Sequence, residues 1–194
     1  MGVLIAKTSN DYPILDNFDS YTPGPVSSPW SSRDGAPYFY AGGLVGGSNA
    51  GAENLAFRSG DFNADQQFYF DVPTLPALDE GISFLFRCDA NGTGYDLQYI
   101  RRSTATPDLR IVYYVNYAIT TVIAGATYDL NLQAGGGIGV RAQGTSLKAY
   151  YRDPGGAWTE CISVTDATYN QAGRIGMGMF GNVGRYDNLR GGNL

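Results

Sequence analysis

Tyr169-Asn170-Gln171-Ala172-Gly173-Arg174-Ile175-Gly176-Met177-Gly178-Met179-Phe180 reads as a turn followed by a strand. Gly173 supplies the turn. Ile175, Met177 and Met179 then alternate with Gly176, Gly178 and Phe180 at a period of two, the repeat of a strand. Glycine at alternate positions leaves one face nearly bare, which suits the close approach of another backbone or of a ligand. A loop and a last strand, Tyr186-Asp187-Asn188-Leu189, follow.

The same alternation recurs upstream. In Ile82-Ser83-Phe84-Leu85-Phe86-Arg87-Cys88, the residues Ile82, Phe84, Phe86 and Cys88 fall on one face and are expected to line a core. Asp89-Ala90-Asn91-Gly92-Thr93 is a turn, and Gly94 to Arg102 returns as the partner strand. Strands are also expected at 54–58, with 66–72 placing Phe68 and Phe70 on one face and Tyr69 and Asp71 on the other. A meander is expected over 109–117, 118–123 and 127–132, then a hairpin of 138–143 with 146–152 and a strand at 158–164. Residues 20–37, with Trp30 as an anchor, read as a loop, and 41–52 as a loop or short edge strands. Short strands at this spacing predict an all-β, two-sheet antiparallel sandwich.

The Gly173-Arg174-Ile175-Gly176 turn-strand, the Asp187-Asn188-Leu189 ending and the Val140-Arg141-Ala142-Gln143-Gly144 hairpin resemble the concanavalin A-like jelly rolls of the laminin-G type. Leu15-Asp16-Asn17-Phe18-Asp19 looks like the first strand of that fold, which implies that the two Asp-Asn segments lie on neighbouring strands. The implied organisation is an N-terminal arm at 1–14 and one jelly-roll domain at 15–194. The arm is expected to contact a neighbouring subunit or a sheet edge. Standalone jelly rolls of this kind resemble bacteriophage minor tail or tail-tip proteins. That implies a virion location, other virion proteins and a host surface glycan as partners, and many copies in one assembly. A capsid decoration protein and a polysaccharide-active enzyme or its binding module are the alternatives.

Composition narrows the chemistry. The chain has no histidine, which excludes Ser-His-Asp and Cys-His hydrolases and the usual zinc sites. A net charge of −5 argues against nucleic acid, and no apolar run is long enough to insert in a membrane. The one short apolar run near the start, 2–6, is too brief for a signal-peptide core, so use without secretion is expected. Cys88 and Cys161 match no ligand spacing; a disulfide or two free thiols both remain open.

No cofactor motif is present, and no catalytic or metal residue is assigned. The jelly-roll hydrolases carry Glu-x-Asp-x-x-Glu on one strand, but none of Glu53, Glu80 and Glu160 begins such a pattern, so a non-enzyme is expected. Asp89 to Asp96 has oxygen side chains at alternating positions, but Ile100 stands where an EF-hand needs its bidentate glutamate, and a hairpin turn accounts for the same residues. Asp16 and Asp19 are expected to cap turns. Arg87, Tyr95, Tyr99 and Arg101 are the candidate ligand-binding face, because exposed aromatics beside guanidinium groups stack on sugar rings and hydrogen-bond their hydroxyls. The competing account is that tyrosines simply pack well on half-buried sheets.

Overall fold

Alternation of buried with more exposed side chains at a period of two builds strands such as Pro37–Tyr40 and Ser146–Arg152. The computed structural model describes residues 12–102, 109–116 and 118–194; most of the expected arm, positions 1–11, lies outside them. The first strands are short: β1 (Ile14–Asp16), β2 (Gly24–Pro25), β3 (Trp30–Asp34), β4 (Pro37–Tyr40), β5 (Leu44–Gly47) and β6 (Glu53–Arg58). Longer ones follow, β7 (Gln66–Thr74), β8 (Gly81–Cys88), β9 (Gly94–Ile100), β10 (Leu109–Val115) and β11 (Ala118–Tyr128). The last are β12 (Gly136–Gln143), β13 (Ser146–Arg152), β14 (Thr159–Thr165), β15 (Arg174–Phe180) and β16 (Arg185–Asn193). Among the described residues there is no helix.

Two antiparallel sheets result. The nine-stranded sheet runs β14-β13-β12-β7-β16-β5-β4-β2, with β1 also against β16. The seven-stranded sheet runs β11-β10-β9-β8-β15-β6-β3. Asp16 pairs with Leu189, so the two Asp-Asn segments are neighbours as the resemblance implied. Asp16 organises that junction: its carboxylate accepts from the Phe18 amide at 2.9 Å, the Tyr21 hydroxyl at 2.9 Å and the Trp30 indole at 2.8 Å.

Phe68, Phe70, Ile138, Val140 and Leu147 of one sheet meet Ile82, Phe84, Phe86, Leu97 and Met177 of the other in a single core. Tyr186 of β16 pins the layers together, its hydroxyl accepting from the Ser83 amide at 2.6 Å. Pro13 also extends the sheet, its carbonyl accepting from the Gly191 amide at 2.9 Å, while the Tyr12 ring stacks on Tyr69 at 4.4 Å.

Three expectations need correction. The supposed loop at 20–37 holds two short strands, β2 and β3, and ends where β4 begins; Trp30 is 1% exposed and anchors β3 against β6. The last two expected meander strands are instead one continuous β11, ending at Tyr128. Cys88 does not share the core face of Phe84. Arg87 sits at φ +52° and the register against β15 slips there, a bulge that turns Cys88 outward into a cluster with Leu55, Phe57, Leu85 and Tyr114. Both cysteines are free thiols.

Candidate functional site

The strand that carries two of the predicted site residues, β9, separates its side chains sharply. Tyr95, Leu97 and Tyr99 point into the core, opposite Phe86, Phe84 and Ile82. The predicted ligand face therefore does not exist as an open surface. Tyr95 is fully buried, stacked on Phe86 at 5.4 Å, with its hydroxyl donating to Asp166 at 2.6 Å. Tyr99 is 2% exposed. Arg87 is buried because its bulge swings the side chain toward the other sheet: its Nε donates to the Ala64 carbonyl at 2.6 Å, and Asp65 lies 3.7 Å away. Arg101 is half-buried and fastens a loop, donating to the Pro76 carbonyl at 3.0 Å. Tyrosine's fit to a half-buried sheet is the account that holds at Tyr95 and Tyr99.

The opposite parity of the same strands builds a different site. Leu55, Gly178, Ser83, Gln98 and Arg110 succeed one another across β6, β15, β8, β9 and β10. Beside them run Phe57, Gly176, Leu85, Asp96 and Val112. This is the outer face of the seven-stranded sheet, yet Leu85 and Val112 are 0% exposed and Asp96 1%. The bare glycines explain part of this. A Cβ at Gly178 would strike the Ser83 hydroxyl, and one at Gly176 would press the Phe57 ring at 3.1 Å, so neighbouring side chains lean over them.

Curvature explains the rest. Tyr114 on β10 donates to the Glu53 carboxylate on β6 at 2.7 Å. Four strand spacings separate β10 from β6, roughly 19 Å in a flat sheet, and the two side chains reach only about 11 Å between them. The sheet must roll so that its outer face is a hollow. A cavity of about 230 Å³ lies in it, lined by Glu53, Asp79, Ser83, Gln98, Arg102 and Phe180 among others.

Its electrostatics follow from burial. Asp96 is pushed up to about 7, first by desolvation and further by the Glu53 charge, although the Gln98 amide donates to it at 2.8 Å. Its Oδ1 has no hydrogen-bond partner among the described residues. Glu53 is also raised, by burial first, against the lowering effect of Tyr114. Arg110 Nε donates to the Gln98 side-chain Oε1 at 3.0 Å, and Arg110 is lowered by burial and by neighbouring Arg102. The hollow thus presents amide, hydroxyl and guanidinium groups beside an aromatic rim, since Phe180 is 51% exposed. Such a surface hydrogen-bonds a polyol and stacks against its C–H face.

Sequence reasoning missed these residues because it followed the aromatic parity of β9. The polar parity, with Asp96 and Gln98 between large core residues and Ser83 before Phe84, was the available signal. The loop at Asp89 is a turn: its carboxylate accepts from the amides of Asn91 at 2.8 Å and Thr93 at 3.0 Å.

No protein-family model matches the sequence, and no curated protein matches it at a significant level. Solved structures do match in fold. The carbohydrate binding module CBM66 from Bacillus subtilis is 18% identical with a TM-score of 0.69, over 93% of this chain and 100% of that one. The VIP36 exoplasmic/lumenal domain in its Ca2+/Man2-bound form is 13% identical, TM-score 0.66, over 96% and 89%. A prokaryotic beta-1,3-1,4-glucanase (lichenase) derived from a mouse hindgut metagenome is 12% identical, TM-score 0.63, over 92% and 97%. The fold is a two-sheet antiparallel jelly roll of the concanavalin A-like kind, shared with these solved structures.

Proposed function

We propose that this protein is a non-catalytic carbohydrate-binding module whose ligand sits in the hollow of the seven-stranded sheet. The observation that carries the reading is the cavity itself, where Ser83, Gln98 and Arg102 offer hydrogen bonds beside the exposed ring of Phe180. Similarity to a carbohydrate binding module and to a domain solved with a mannose disaccharide supports the same ligand class. Direct polar contacts set orientation, while ring stacking supplies apolar area without a charge requirement. The finer setting, a bacteriophage minor tail or virion protein displaying many weak sites toward a host glycan, rests on the sequence resemblance alone. Locating the chain in a purified particle tests that setting.

A second reading, a polysaccharide hydrolase, draws on Glu53 and Asp96, two carboxyl groups held above their ordinary range in one hollow. Against it, Asp96 is covered and Glu53 is engaged by Tyr114. Binding of the wild type and of Gln98→Ala with Arg102→Ala to a glycan array separates the possibilities. Binding that falls at least about tenfold in the double variant supports the module. Binding that survives rejects the hollow, and release of reducing sugar by the wild type supports the hydrolase.

A further inference from the structure

Gln98, which lines the cavity, stands directly opposite Ser83 of β8 on one side and Arg110 of β10 on the other. Its side-chain amide is held from two directions. Nε2 donates to Asp96 Oδ2 at 2.8 Å, and Oε1 accepts from Arg110 Nε at 3.0 Å. An ionised carboxylate only accepts and a guanidinium only donates, so together they leave the amide one orientation. One Nε2 hydrogen and one Oε1 lone pair then remain, on fixed sides. The fold itself gains little from an acid at position 96. Asp96 lies between Leu85 and Val112 on the neighbouring strands and is 1% exposed, and its Oδ1 has no hydrogen-bond partner among the described residues. Burying a carboxyl there costs stability that an apolar side chain would not. The groups that favour its charged form include the Gln98 amide and the Ser83 hydroxyl, both from residues that line the cavity.

Resting on the reading of the hollow as a sugar site, we propose that Asp96 is its positioning residue: the carboxylate touches no sugar, and fixes which way Gln98 faces the cavity. Protonated Asp96 gains an O–H that can donate to Gln98 Oε1, so the amide is no longer confined to one orientation. Binding therefore draws on the ionised form, and affinity falls as pH drops through about 7, where Asp96 titrates. The other ionisable groups in electrostatic reach of it are Glu53 of β6, Arg110 and Tyr114 of β10, Cys88 of β8 and Tyr186 of β16. Burial pushes Cys88, Tyr114 and Tyr186 upward, so they stay neutral across this range. Glu53 is raised too, and is separated by mutation.

Calorimetric titration of the intact protein with a neutral oligosaccharide bound on the glycan array, from about pH 8.5 to about pH 5.5, tests this. Such a sugar brings no titrating group of its own. Wild-type affinity is expected to fall about tenfold over that range. Asp96→Asn, whose carboxamide donates as well as accepts, should bind weakly at every pH, with the slope gone. Glu53→Gln should keep the slope. A double-mutant cycle of Asp96→Asn with Gln98→Ala should be non-additive, because one acts through the other. With no sugar present, the Gln98 side-chain amide resonances should move with the Asp96 titration and stay flat in Asp96→Asn. A pH-independent wild-type affinity, a slope that survives Asp96→Asn or is lost in Glu53→Gln, additive effects in the cycle, or a Gln98 amide that ignores pH would overturn the positioning role while leaving sugar binding intact. If no sugar on the array binds, the sugar site itself fails, and the inference with it.

Discussion

Asp96 is the residue where fold and site pull hardest against each other. A carboxyl held at about 7 in the folded chain and near ~4 in the unfolded one binds its proton more tightly when folded. Its stabilising contribution is complete below about pH 4 and is lost as pH rises through about 7. Ser83, Gln98, Glu53, Arg110 and Tyr114 surround it, and of the charged pair Glu53 reinforces the shift while Arg110 opposes it. Asp187, raised to about 6 chiefly by burial, adds a slope of the same sign. Asp96→Asn removes the first slope. Chemical denaturation of both proteins should show wild-type stability falling against the variant by up to about 1.4 kcal/mol per pH unit across the window. Parallel curves would mean that Asp96 titrates normally. Elsewhere in the core, Phe84→Ala should cost about 3–5 kcal/mol, because Phe84 is 0% exposed between Phe68 and Phe70. An unchanged melting temperature would contradict that packing.

At the scale of elements, strands were legible wherever one parity was apolar and the other polar or glycine, as in β12, β13 and β15. Their bounds in the structure differ by a residue or two from those read in the sequence. What was illegible had local causes. The bulge at Arg87 is a single left-handed residue in an otherwise regular strand, and no periodicity announces it. Curvature is invisible too, since the outer faces of a flat and a rolled sheet have the same alternation. For that reason Tyr95 and Tyr99 were read as an exposed platform, when the solvent-side parity of β9 belongs to Asp96 and Gln98. Arg87 itself acts as a strut between the sheets. Arg87→Ala should destabilise by about 2–3 kcal/mol through lost charged hydrogen bonds, without changing any sugar affinity of the folded fraction. Reduced binding by fully folded Arg87→Ala would return it to the site.

For the whole molecule, the two sheets have different work. The nine-stranded sheet closes the core and ties the chain's ends together through β1 and β16. The seven-stranded sheet is rolled, and its hollow gathers the polar side chains Glu53, Ser83, Gln98 and Arg102. Because of that division, a sugar held in the hollow would perturb one sheet face only. Two-dimensional amide NMR during titration with a bound oligosaccharide is the most direct measurement. Shifts confined to Ser83, Gln98, Arg102, Phe180 and their neighbours are expected. Shifts instead centred on Tyr69, Tyr150 and Trp158, across the molecule on the nine-stranded sheet, would contradict that placement.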